Sequence, residues 1–195
     1  MTAPLRVVVV ISGRGSNLIA LHQHARPETY QIVGVISSRA DAAGLAYARA
    51  QGLTTQVIEA SAHGQRTAYE AALAAGIDAY APDVIALAGF MRILTPDFVT
   101  RYAGRLINIH PSLLPAFPGL DTHRRALEAG VREHGATVHY VTPVVDGGPI
   151  IDQMRLTVDP GESPEQLAAR VLALEHQLYP AVLTRLAKSR RHAPL

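Results

Sequence analysis

Leu5 to Ile11 (LRVVVVI) is a nearly unbroken run of β-branched residues. A run without polar alternation is the pattern of a strand buried on both faces of a parallel sheet. Apolar runs of similar length recur at Tyr30 to Ile36 (YQIVGVI), Thr54 to Ile58, Asp83 to Ala88 (DVIALA) and Arg105 to His110 (RLINIH). Between them lie helical patterns: Leu18 to His24, the alanine-rich Asp41 to Gln51, Arg66 to Ala75, and Pro96 to Tyr102. Strand and helix alternating at this spacing predict right-handed crossovers on an open, mostly parallel twisted sheet with helices on both faces, the Rossmann-like α/β class. Beyond residue 110 the rhythm changes. A proline-rich loop (HPSLLPAFPGLDTH) leads to a short helix and two β-like runs, Ala136 to Val141 and Pro149 to Val158. These are predicted as added strands of the same sheet, partly antiparallel. A final helix is predicted over Ser163 to Ala187, entered through Ser163-Pro164-Glu165-Gln166, a capping pattern with Pro at the first helical position. No repeat, low-complexity segment or linker interrupts the chain, and one domain over residues 1–195 is expected.

Composition narrows the class. Hydrophobic residues are 48% and charged residues 17% of the 195 positions, as in a globular fold rather than a disordered chain. The apolar runs are too short to span a membrane, and no signal segment precedes the first strand, so a cytoplasmic protein without membrane contact is expected. Cysteine is absent, which excludes disulfides, zinc-thiolate sites and thiol nucleophiles. The net charge is only +2. The one basic cluster, Lys188, Arg190 and Arg191 beside His192, reads as a solvated helix end, where cations suit the helix dipole. With no Trp and 5% aromatics there is little for bases to stack on, and no nucleic-acid partner is expected.

In doubly wound sheets ligands bind outside the carboxyl ends of the strands, here the loops after residues 11, 36, 88 and 110. The first holds Ser12-Gly13-Arg14-Gly15-Ser16-Asn17. Its glycines permit a tight turn and close approach of a ligand, and the following helix offers unpaired N–H groups to an anion, joined by the Ser16 hydroxyl and Asn17 amide. A P-loop is excluded because no lysine follows. The dinucleotide fingerprint lacks its third glycine, position 18 being Leu, and the second strand ends in Ser37, Ser38 and Arg39 without a ribose-binding carboxylate. Arg39 could accept a 2′-phosphate, so a nicotinamide-binding module is the alternative, and a plain helix cap with glycines for packing is the bland one. The favoured ligand is a monophosphate.

Asn108-Ile109-His110-Pro111 ends a strand, and alternation puts Asn108 and His110 on one face with Ile109 opposite in the core. Pro111 holds His110 extended. Val144-Val145-Asp146-Gly147-Gly148-Pro149 brings one carboxylate onto a glycine-flanked loop, which alone reads as an ordinary Asp-Gly turn. Beside an imidazole, that carboxylate would orient the ring and favour its charged form. His134 and His139 fall on opposite faces by their odd spacing and make a poor metal-ligand pair.

Four motifs stand in order: Ser12-Gly13-x-Gly15-Ser16-Asn17-Leu18, Ala88-Gly89-Phe90-Met91-Arg92-Ile93-Leu94, Asn108-Ile109-His110-Pro111-Ser112-Leu113-Leu114-Pro115 and Asp146-Gly147-Gly148-Pro149. With them the chain resembles the folate-dependent formyl transferases, and among these the glycinamide ribonucleotide (phosphoribosylglycinamide) formyltransferases of de novo purine synthesis, over nearly its whole length. The resemblance implies transfer of a formyl group from 10-formyltetrahydrofolate, as co-substrate, to the amine of the small phosphorylated substrate glycinamide ribonucleotide, without a metal. It implies a phosphate loop of Gly15, Ser16 and Asn17, a catalytic trio of Asn108, His110 and Asp146, and Glu175 contacting the substrate ribose. It further implies a folate pocket of Arg66, Met91, Arg92, Ile93, Leu94, Asn108, Val141, Thr142, Val145 and Asp146, with backbone groups of Arg92 and Leu94 holding the pterin. Residues 1–110 would form the phosphate-binding half of the domain, and 111–195 its folate-binding and C-terminal part. Asp121 stands where some relatives carry His, so no proton-handling role carries over to it. The same likeness, with the crowded proline loop, implies a cis Leu114–Pro115 bond.

The chemistry expected is direct attack of the amine on the formyl carbon. Donors aimed at the resulting oxyanion are worth ~3–4 kcal/mol each in other acyl transfers, and Asn108 and charged His110 suit this task. Asp146 would hold His110 and help move the amine proton to the leaving nitrogen. Relatives that hydrolyse formyl-folate carry an added N-terminal domain, and those acting on initiator tRNA an added C-terminal one. With the first strand at Leu5 and the last residue at 195, neither is expected. A monomer or homodimer is expected.

Overall fold

The computed structural model describes residues 3–192, with side chains as far as Arg190. Its strands are β1 (Leu5–Ile11), β2 (Tyr30–Ser37), β3 (Thr55–Val57), β4 (Val84–Leu87), β5 (Leu106–His110), β6 (Glu133–Tyr140) and β7 (Ile150–Thr157). Helices are α1 (Ser16–His24), α2 (Ala43–Ala50), α3 (Arg66–Ala79), α4 (Pro96–Arg101), α5 (Thr122–Glu128) and α6 (Pro164–His192), with a 3-10 turn at Ala60–Ala62. One sheet carries the strands in the order β3-β2-β1-β4-β5-β6-β7. Neighbours from β3 through β5 pair in parallel, while β6 runs antiparallel to β5 and β7 antiparallel to β6. The mixed, mostly parallel sheet expected from the sequence is therefore the one observed.

Burial explains the sequence pattern. Val7 through Ile11 are wholly inaccessible because both faces of β1 are covered. Val7, Val9 and Ile11 pack with residues of α1, α2 and α6, whereas Val8 and Val10 pack with residues of α3 and α4. Tyr179 of α6 crosses beneath the sheet, its hydroxyl donating to the carbonyls of Leu87 (3.0 Å) and Ile107 (3.3 Å). That buried donor ties α6 to β4 and β5, whose ends carry the site.

Three elements run at least three residues beyond the sequence pattern at one end: α3, which reaches Ala79 rather than Ala75, β6 and α6. β6 begins at Glu133 rather than Ala136 because β7 pairs along its whole length, Glu133 facing Thr157. Helix α6 passes through Pro180. The proline forfeits a bond to the carbonyl four residues earlier, but Leu178, Tyr179, Val182 and Leu183 around it are at most 1% exposed, and that packing holds the helix. Its start follows the expected capping box: Gln166 Oε1 accepts from Ser163 N (2.8 Å), and Ser163 Oγ accepts from Gln166 N (3.3 Å). Of the basic cluster at its end, Arg190 pairs with Asp83. The side chains of Arg191 and His192 lie outside the described residues. Among the described residues no helix is long and apolar enough to cross a membrane.

Candidate active site

Strand order reverses beside β1, which has β2 on one side and β4 on the other. At such a point ligands are expected outside the carboxyl ends of the strands, here β1 and β4. On the β1 side, Gly15 caps α1 at φ +76 with no side-chain cap, so the first N–H groups of α1 are left for an external acceptor. Glycine is required there twice over. The left-handed φ strains any other residue, and an added Cβ would fall 2.6 Å from the Gly44 Cα. The bland reading of a loop glycine as a packing residue thus holds for Gly15, whereas an added Cβ at Gly13 would meet nothing within 4 Å.

Asn17 departs from its expected posture. Its side chain is buried and turned inward, Nδ2 donating to Glu175 Oε2 at 2.6 Å, while Oδ1 has no partner. Glu175, expected as a ribose contact, comes to the loop from α6 across 158 residues of sequence. Burial pushes its carboxyl above the usual carboxylate range, against the opposing pull of the Asn17 bond.

After β4 the chain leaves regular structure from Ala88 until α4. Met91 and Ile93 are exposed, Leu94 is buried in the second core cluster, and Phe90 and Val141 pack against that same cluster. Val144 and Val145 are exposed on the loop before Asp146, where Thr142 Oγ1 donates to the Val144 carbonyl (3.2 Å). Arg66, expected in the folate pocket, donates from one guanidinium nitrogen to the Ile93 carbonyl (2.5 Å) and from another to Glu70 (3.3 Å). Arg92 lies over the Tyr69 ring, 5.2 Å from its centre.

The third group forms at the end of β5. Asn108 and His110 share a face as alternation requires, and antiparallel pairing sets Thr137 opposite His110 and His139 opposite Asn108. Asp146, held in a left-handed conformation at φ +51, reaches in from its loop. Its Oδ2 lies 3.4 Å from His110 Nδ1 and accepts the Gly119 N–H at 2.8 Å, and its Oδ1 lies 3.6 Å from His139 Nε2. A Cβ on Gly148 would collide with the Tyr140 carbonyl, so the second glycine of the Asp-Gly-Gly motif lets this loop lie against β6. On its other side His110 Nε2 meets the Phe117 carbonyl at 3.0 Å. A carbonyl only accepts, so the His110 proton is fixed on Nε2, and Nδ1 is the nitrogen that faces the carboxylate.

The spacing from His134 marks His139 only as half of a poor metal-ligand pair, yet it completes this cluster. Its Nδ1 meets the Tyr140 carbonyl (3.0 Å), which fixes the proton there and leaves Nε2 to accept from Asn108 Nδ2 (3.3 Å). Burial, the largest influence, lowers its pKa and outweighs Asp146. A neutral His139 therefore orients the Asn108 amide. The sign of it in the sequence is parity: His139 and Thr137 alternate with the buried Ala136 and Val138. His134 points the other way, to His123 (3.2 Å). Burial first, then His123, lowers its pKa to about 4. Asp121 is an exposed partner of Arg124 (2.7 Å) and stays clear of the cluster. The Leu114–Pro115 bond between Asn108-x-His110 and these loops is cis, as the family pattern implies. Among the described residues no group of three or more His, Asp or Glu has metal-holding geometry.

An uncapped helix N-terminus, an irregular segment and an Asn–His–Asp cluster on one sheet edge define the class: the chain belongs to the formyl transferase family, whose model matches residues 5–183. Within it, similarity is high to proteins of one activity. The chain is 50% identical over 188 residues to phosphoribosylglycinamide formyltransferase of Escherichia coli (strain K12), covering 95% of this chain and 89% of that one. Its fold matches the phosphoribosylglycinamide formyltransferase of Coxiella burnetii with a TM-score of 0.91 at 50% identity, covering 96% of this chain and 89% of that one. It is also 43% identical over 184 residues to the trifunctional purine biosynthetic protein adenosine-3 of Gallus gallus, which it spans for 18% of that protein's length and for 93% of its own.

Proposed function

We propose that the chain transfers the formyl group of 10-formyltetrahydrofolate to the amine of N1-(5-phospho-D-ribosyl)glycinamide, giving the N-formyl product and tetrahydrofolate in de novo purine (IMP) biosynthesis. The observation that carries this reading is the contact of His110 Nδ1 with Asp146 beside Asn108, at the edge that also holds the open N-terminus of α1. β1 and β5 are separated only by β4, so the two sites stand about 10 Å apart by strand spacing. A phosphoribosyl glycinamide fits that span, with its phosphate on Gly15, Ser16 and Asn17 and its ribose on Glu175. The folate occupies the cleft of Arg66, Met91 to Leu94, Val141, Thr142 and Val145. Residues 1–195 work as one domain, its first 110 residues binding phosphate and the rest completing the folate side.

The amine nitrogen attacks the formyl carbon, whose carbonyl oxygen takes the electron pair. Asn108 uses one N–H on His139 and presents the other to that oxygen. Because the Nε2 proton is committed to the Phe117 carbonyl, His110 has a proton for that oxygen only as the imidazolium, on Nδ1. At 3.4 Å from Asp146 that contact is looser than a charge-assisted hydrogen bond of about 2.7–2.9 Å, so the proton is free to be shared with the developing oxyanion. Collapse then breaks the bond from formyl carbon to folate N10, which receives the proton lost by the amine, with Asp146 as the carrier. The test is tetrahydrofolate formation from 10-formyltetrahydrofolate by the purified chain. It should require glycinamide ribonucleotide and saturate with it. Folate turnover that proceeds equally without the amine would mean hydrolysis and overturn the assignment.

A further inference from the structure

Between Gly89 and α4 no strand or helix holds the backbone, yet a flat ring system can be recognised by backbone groups only if they are fixed. Three side chains supply that restraint. Ser12 Oγ, on the glycine loop, accepts the Met91 N–H (3.1 Å) and a bond from Ser38 Oγ (2.7 Å). Arg66 donates to the Ile93 carbonyl (2.5 Å). Glu70 is 6% exposed, and its carboxylate accepts the Thr95 N–H (2.8 Å), the Thr95 hydroxyl and Arg66 Nε (3.3 Å). The pinned residues are 91, 93 and 95. Among the described residues, the N–H and C=O groups of Arg92 and Leu94 make no hydrogen bond. Every second residue is thus anchored inward, and the alternate ones keep their polar groups for something else, as on the free edge of a strand.

We propose that Glu70 and Ser12 are positioning residues for folate recognition: with Arg66 they stand in for a neighbouring strand and hold Met91–Thr95 so that the Arg92 and Leu94 backbone faces the pterin. This rests on the formyl-transfer reading. Neither residue need touch a substrate. Glu70 is a buried carboxylate without a part in the chemistry, and among the described residues Ser12 is the one side chain of the glycine loop that hydrogen-bonds to this segment.

The experiment titrates tetrahydrofolate and, separately, glycinamide ribonucleotide into the wild-type protein, Glu70→Gln, Glu70→Ala and Ser12→Ala, with thermal unfolding of each. Losing both carboxylate oxygens in Glu70→Ala, or the single hydroxyl acceptor in Ser12→Ala, should weaken tetrahydrofolate binding at least about tenfold. Glu70→Gln, which keeps one acceptor oxygen, should lie between Glu70→Ala and wild type. Ribonucleotide binding by both Glu70 variants should stay within about twofold, and their kcat at saturating folate should be largely retained, since the loss is of pre-organisation. If Glu70→Ala does not fold, Glu70→Gln and Ser12→Ala decide. Unchanged tetrahydrofolate affinity in folded variants overturns the proposal, as does an equal loss for both substrates that tracks a fall in Tm. A wild-type protein that binds no tetrahydrofolate would refute the underlying reading instead.

Discussion

Replacing Asp146 by Asn changes one charge and little else. The residue sits at φ +51, a conformation Asn tolerates well, and the Asn side-chain oxygen can still accept the Gly119 N–H. What disappears is the negative charge 3.4 Å from His110 Nδ1. The two side chains are only 7% and 11% exposed, so solvent screens the pair weakly. Against the imidazolium form of His110, the one that carries a proton on Nδ1, the attraction at an effective dielectric near 20 is about 5 kcal/mol. Only the part that grows as the oxyanion forms counts toward rate. If roughly half does, kcat falls by about two orders of magnitude. Both substrate KM values should move less than about threefold, because the phosphate loop and Met91–Leu94 segment are untouched. Steady-state kinetics of Asp146→Asn, His110→Ala and the double variant measure this. The double variant should lose about what the worse single variant loses. A kcat loss under about fivefold for Asp146→Asn, or losses that multiply in the double variant, would refute the coupling of the pair.

Gly15→Ala should raise KM for the ribonucleotide by more than about tenfold and cost more than ~1 kcal/mol of stability, since it combines a left-handed φ with a backbone clash; ribonucleotide and thermal titrations check it, and wild-type values would remove the phosphate loop from its assigned place. Acid should destabilise the fold through His134: burial holds it at about 4 in the folded chain against an ordinary 6.5, so the unfolded chain binds the extra proton between those values and stability is lost as pH falls from 6.5 toward 4. Tm measured against pH should fall less steeply over that window in His134→Asn than in wild type, and identical slopes would contradict the assignment.

What the sequence discloses is local. A β-branched run buried on both faces, a capping box, a glycine loop and an Asn-x-His strand end each depend on neighbours a few residues away, and β1, the start of α6, Gly15 and the Asn108–His110 face stand where these patterns place them. Contacts across the fold are a different matter. Nothing near Asn17 foretells that its amide meets Glu175, or that the Phe117 carbonyl sets the His110 tautomer. His139 enters the site because β6 runs antiparallel to β5, a register that composition does not encode. Glu70 reads in the sequence as one more helical acid, and only the folded chain turns it onto Thr95. The final helix runs through Pro180 as the sequence predicts, held there by burial on both sides of the proline.

Isotopic label in the formyl carbon of 10-formyltetrahydrofolate and in the amine nitrogen of glycinamide ribonucleotide tests the central claim most directly. Mixed with wild-type enzyme, the two labels should become bonded to each other in a single N-formyl product, one for each tetrahydrofolate released, with labelled formate absent. Labelled formate in place of that bond, or a folate consumed without the amine, would contradict direct transfer at the Asn108–His110–Asp146 cluster.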